Sequence, residues 1–154
     1  MAWPYSRLSV IKLQISHLIV ICVNSERSFV IITKWVLSIP MTPPSANIFL
    51  RWPWQKRERL IEKWHHDVWA LCNFNRIYPC DKLHLECKIY FKDNRKRDPA
   101  NFVTPLDKLV FDGLTRCGII PDDSPEHLTW SVPILDTDKE NPRTEILISH
   151  HSLS

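Results

Sequence analysis

Leu83-His84-Leu85-Glu86-Cys87-Lys88-Ile89-Tyr90-Phe91 alternates apolar and polar side chains without a break. Successive side chains of an extended chain point to opposite faces, so Leu83, Leu85, Cys87, Ile89 and Phe91 share one face. The period predicts a strand with one side on a core. Upstream, Leu60, Ile61, Trp64, Val68, Leu71 and Cys72 recur at helical spacing, which predicts a helix from Lys56 to Phe74 with one apolar stripe. Downstream, Leu106, Leu109, Val110, Leu114 and Cys117 form a second stripe. Thr104 stands where a cap belongs, with Pro105 at the first helical position, where a missing N–H costs nothing. Gly118 fits a left-handed stop. Flanking strands are expected at Trp35–Ile39, ended by Pro40, and at Leu128–Val132 and Glu145–Ser149. Loops fall at the Pro-rich Met41–Asn47, at Pro121–Pro125 and at the polar stretch Asp136–Arg143. The expected fold is α/β: a small mixed β-sheet packed with two main helices, in the order β-α-β-α-β-β.

At 154 residues the chain has room for one domain and an extension. Residues 35–149 carry the ordered pattern, residues 1–34 read as an extension, and 150–154 as a tail. In the extension, Leu18–Val23 and Phe29–Ile32 are apolar runs, too short to span a membrane. Extra strands, an upstream start, or a secretory leader led by Arg7 and Lys12 are the readings open there. The two glycines, Gly113 and Gly118, leave no phosphate-cradling glycine loop, which argues against nucleotide-hydrolysing and dinucleotide enzymes. The five cysteines include no CxxC pair, so zinc ribbons and disulfide frameworks are not expected. Free buried thiols fit a reducing, cytoplasmic setting. The formal charge of +3 is modest, but Lys92, Arg95, Lys96 and Arg97 cluster before Asp98. A second cluster, Arg51, Lys56, Arg57 and Arg59, surrounds Trp52 and Trp54. Those two indoles suit base stacking or plain packing. His65 and His66 diverge on a helix by about 100° and read as surface.

Hydrolysis of a phosphodiester calls for a divalent cation, a placed water and neutralised charge at the phosphate. Mg²⁺ takes oxygen ligands, typically one or two carboxylates. Asp98 ends the long strand's basic loop, and Asp122 and Asp123 follow the second helix. A strand end and a helix end meet at one sheet edge, though the same aspartates also suit turns. Lys108 and Asp112 lie one helical turn apart. They form either a surface ion pair or a lysine aimed at a phosphate.

The strings Arg95-Lys96-Arg97-Asp98-Pro99-Ala100-Asn101, Lys108-Leu109-Val110-Phe111-Asp112-Gly113-Leu114 and Gly118-Ile119-Ile120-Pro121-Asp122-Asp123-Ser124 occur in that order. Together they resemble the RusA family of Holliday-junction resolvases. Pro43-Pro44-Ser45-Ala46-Asn47 is similar to that family's first loop. The likeness covers residues 35–149. It implies a phage-type homodimeric endonuclease that binds branched DNA, a four-way junction, and nicks opposed strands with Mg²⁺, away from membranes. It implies Asp98 and Asp123 as catalytic metal ligands, Asp122 as an assisting ligand and Lys108 as the catalytic lysine. Lys92, Arg95, Lys96, Arg97 and Asn101 are implied on the DNA. The sequence departs at Ala100, where the family has a second aspartate, and by about one helical turn of extra chain between Asn101 and Lys108. A junction-binding protein without cleavage is therefore the second expectation, and a secreted or envelope protein the third.

Overall fold

The alternation from Leu83 to Phe91 is carried by a strand in the middle of a mixed α/β fold. The computed structural model describes residues 17–23 and 28–153. Its elements are β1 (His17–Val23), β2 (Ser28–Ile39), α1 (Ala46–Phe49), α2 (Trp54–Phe74) and β3 (Leu83–Phe91), followed by a continuous helical run from Pro99 to Arg116. β4 (Leu128–Trp130), β5 (Ile134–Thr137) and β6 (Arg143–Leu153) complete it. The sheet order is β1-β2-β6-β3-β4, with β5 also on β3.

β6 is antiparallel to both β2 and β3, and its register aligns three rows of side chains. Trp35, Ile148 and Leu85 make one row; Leu37, Ile146 and Cys87 the next; Ile39, Thr144 and Ile89 the third. All are buried. Burying an aliphatic side chain of this size contributes roughly 1.5–3 kcal/mol. Thr144, the polar member, donates its hydroxyl to the Met41 carbonyl at 2.8 Å, so its burial leaves no bond unmade. α2 covers this face with Trp64, Val68 and Cys72, as its spacing predicts. Burial pushes the Cys72 and Cys87 thiols up to about 12, which keeps them protonated and unreactive.

β4 and β5 both run parallel to β3, so the chain must cross over between them, and the helical run is that crossover. The buried Pro133 lies between the two short strands, where it contributes no N–H to the ladder. The expected polar loop at Asp136–Arg143 thus begins inside a strand.

Two expected boundaries move. The division at residue 34 falls inside β2, because the alternation of Trp35, Leu37 and Ile39 continues back through the buried Thr33. Of the expected tail at 150–154, residues 150–153 are the end of β6, where His150 to Leu153 pair with Val30 to Thr33, and 154 lies outside the described residues. Extra strands are therefore what the extension contributes at 17–23 and 28–34, while the leader reading on Arg7 and Lys12 lies outside the described residues. A chain starting at Lys34 is expected to melt well below the full chain, since it leaves the end of β6 unpaired. Equal melting temperatures by circular dichroism would show those strands to be dispensable.

The helical run also starts earlier than Thr104-Pro105 suggests. Asp98 is its cap: Oδ1 accepts the Ala100 N–H at 3.0 Å, and Pro99 takes the first position of a 3-10 turn, Pro99–Phe102. Pro105 lies buried within the run, in α3 (Val103–Leu106). A wide π turn, Asp107–Phe111, follows, then α4 (Asp112–Arg116). Gly118, at φ 74°, ends it as its sequence position predicts. Its N–H bonds the Thr115 carbonyl, and the Ile119 N–H bonds that of Leu114.

Candidate metal centre

Asp107 and Asp112 are five residues apart in sequence. On an ideal α-helix they would diverge by about 140°. The π turn removes that divergence. The Asp112 N–H reaches back to the Asp107 carbonyl, and residues five apart come onto one face. Asp123 approaches from the loop that Gly118 redirects. Carboxylate oxygens of Asp107, Asp112 and Asp123 all lie within 4.8 Å of one another. The Lys108 ammonium sits 3.4 Å from Asp112 Oδ2 and 3.7 Å from Asp107 Oδ2.

Three carboxylates this close repel one another. Partial burial pushes the Asp107 carboxyl above the usual range; the charges of Asp112 and Asp123 add to this, while Lys108 opposes it. In return, the Asp112 and then the Asp107 carboxylates push the Lys108 ammonium up. Lys108 is thus a fixed cation in a pocket of negative charge. The donor set is all oxygen, which fits a hard divalent cation.

The expected metal set was Asp98, Asp122 and Asp123; among the described residues the set that converges is Asp107, Asp112 and Asp123. Asp98 is engaged as a helix cap and lines a separate groove with Thr42, Pro43, Arg95 and Asn101. Asp122 turns back on its own loop. Its Oδ1 accepts the Ser124 N–H at 2.8 Å, and the bonds from Ser124 hold its carboxyl below the usual range. Lys108 meets Asp107 and Asp112, the two aspartates that Asp123 joins. Asp107 escapes sequence reasoning because α-helical spacing turns it away from Asp112. Pro105, out of place inside a helix, is the signal that the spacing there is irregular.

The basic residues divide. Lys92, Arg95 and Lys96 are exposed. Arg97 is already committed: its guanidinium stacks on Phe91 at 4.0 Å and bonds Asp93 Oδ1 at 2.7 Å. Asn101 is half-buried beside Asp98.

Asp107→Asn is expected to stabilise the metal-free protein at neutral pH. A carboxyl raised on folding contributes stability below its unfolded value, and that contribution is lost as pH rises through the folded one. The amide removes the charge responsible for the loss. Melting temperatures in chelator should therefore favour the variant at neutral pH and converge below the ordinary value of 3.8. A variant that melts lower at neutral pH would show that the ionised carboxylate is held by favourable contacts.

No helix among the described residues is long and apolar enough to cross a membrane. No family model matches the chain, and no curated protein matches it.

Proposed function

We propose that the chain is a Mg²⁺-dependent, structure-selective DNA endonuclease of the RusA type, resolving four-way junctions in recombination and repair. The observation that supports this reading is the convergence of Asp107, Asp112 and Asp123, with Lys108 against the first two; all but Asp107 lie in the strings that resemble that family. When bound, Mg²⁺ supplies charge neutralisation at the scissile phosphate. The three aspartates would hold it. Lys108 would meet the phosphate's developing negative charge with its own cation. Asn101, in the groove below the basic loop, would position the DNA backbone, while Asp98 caps the helical run. A cytoplasmic homodimer, one active site per opposed strand, completes the proposal.

The test is cleavage of a labelled four-way junction with and without Mg²⁺, beside linear duplex. Paired nicks confined to the junction and to Mg²⁺ are expected; no cleavage under any divalent cation removes the enzyme reading. Ala100 favours a second reading. Its side chain offers no oxygen, and the neighbouring Asp98 carboxylate uses Oδ1 as a cap. Junction binding without cleavage is the result that would select it.

The basic loop gives a separate expectation. Neutralising Lys92, Arg95 and Lys96 together should flatten the log–log salt dependence of junction binding by about 0.9 for each phosphate that is no longer neutralised. Anisotropy titrations at stepwise salt measure the slope, and an unchanged slope places the DNA elsewhere. Arg97→Ala should instead loosen the loop, because its partners are Asp93 and Phe91.

A further inference from the structure

We propose that His65 is a positioning residue that holds the π turn open and so keeps Asp107 beside Asp112. His65 lies on α2, far from the cluster in sequence and, by helical spacing, on a surface position. Its ring nevertheless reaches across to the helical run. Nε2 is 2.9 Å from the Lys108 carbonyl, and Nδ1 is 3.3 Å from the Arg116 guanidinium. A carbonyl only accepts and a guanidinium only donates. The ring is therefore neutral, with its proton on Nε2, donating to Lys108 and accepting from Arg116.

The Lys108 carbonyl is the group that needs such a donor. Asp112 bonds the Asp107 carbonyl, five residues back. Where a helix returns from this wide spacing to the ordinary one, a carbonyl is passed over by the backbone ladder. Lys108 follows Asp107 directly, and His65 bonds it. Without that donor, the Lys108 carbonyl would be free to take the Asp112 N–H at ordinary α spacing, turning Asp107 away. Gly113 makes the approach of the ring possible: a Cβ there would stand 3.1 Å from His65 Cδ2. Gly113→Ala should therefore act in the same direction as loss of His65.

This inference rests on the cluster being a cation site, but two of its readouts do not. The full chain, His65→Ala and His65→Gln are compared by Mg²⁺ calorimetry, thermal melting and nuclear magnetic resonance. In the full chain the ring nitrogen shifts should report a protonated Nε2 and an unprotonated Nδ1. In folded His65→Ala the carbonyl carbon of Lys108 should shift, and Mg²⁺ affinity should fall by about tenfold or more, the loss seen when a metal ligand's supporting partner is removed. His65→Gln, whose amide still donates, should recover most of that affinity. An unprotonated Nε2, or a folded His65→Ala with an unmoved Lys108 carbonyl and native Mg²⁺ affinity, overturns the proposal. If the full chain binds no Mg²⁺, the cation-site reading fails by itself, and the role of His65 is decided by the Lys108 carbonyl shift alone.

Discussion

Asp107→Asn is expected to lower Mg²⁺-dependent junction cleavage on the order of 10²-fold or more, the usual consequence of removing one preorganised contact to charge that develops in a reaction. Asp122→Asn should leave cleavage within a few-fold of the native protein. The contrast is the point of the experiment, because the two residues exchange roles between sequence and structure. Asp122 belongs to the paired aspartates of the family-like string, yet its carboxylate is turned onto Ser124. Asp107 belongs to no motif, yet it meets Asp112 and Asp123. Junction binding should survive in both variants, since neither removes a basic residue. The weakened Asp107→Asn enzyme should regain part of its rate at high Mg²⁺, as a carboxylate lost from a cation site raises the cation concentration needed to fill it. Loss of cleavage in Asp122→Asn with full activity in Asp107→Asn would return the site to the arrangement that the sequence motif implies. It would also show that the three-carboxylate cluster serves some other purpose.

Lys108→Met should reduce cleavage by a comparable factor, on the order of 10²–10³, but with the opposite dependence on metal. The ammonium sits 3.4 Å from Asp112 Oδ2 and competes with any cation for the same oxygens. Removing it leaves the carboxylates without a counter-charge, so Mg²⁺ should bind more tightly while turnover falls. A Mg²⁺ titration of cleavage separates the two variants: half-saturation moves up in Asp107→Asn and down in Lys108→Met. A rise in half-saturation for Lys108→Met would mean that the lysine orders the aspartates rather than acting on the phosphate.

What the sequence discloses about this protein follows how regular each stretch is. The strand at Leu83–Phe91 and the helix ending at Phe74 lie where their periods put them, because simple alternation and a single stripe survive in the packed state. Gly118 ends its helix because few other residues adopt that conformation without strain. The N-terminal strands are obscured by Lys34, a charged side chain in the middle of β2, and by the polar end of β6 with which β2 pairs. Thr104-Pro105 imitates a helix start, while the real one, Asp98-Pro99, is hidden inside the basic run. The site is legible in its lysine and in Asp123. It is not legible in Asp107, because one turn of different pitch decides which face that side chain occupies, and residue spacing alone assumes a constant pitch.

The placement of β6 has a consequence for how the molecule is made. This strand comes after all the others among the described residues, yet it lies between β2 and β3 and pairs with both along most of its length. The core rows cannot close until it arrives, so most of the sheet is built from contacts between distant parts of the chain. Such topologies fold slowly, because the loop-closure entropy precedes the contacts that offset it. On the ribosome, the apolar flanks of β2 and β3 would stay unpaired until β6 emerged, and this nascent state is the one most exposed to aggregation and to chaperones.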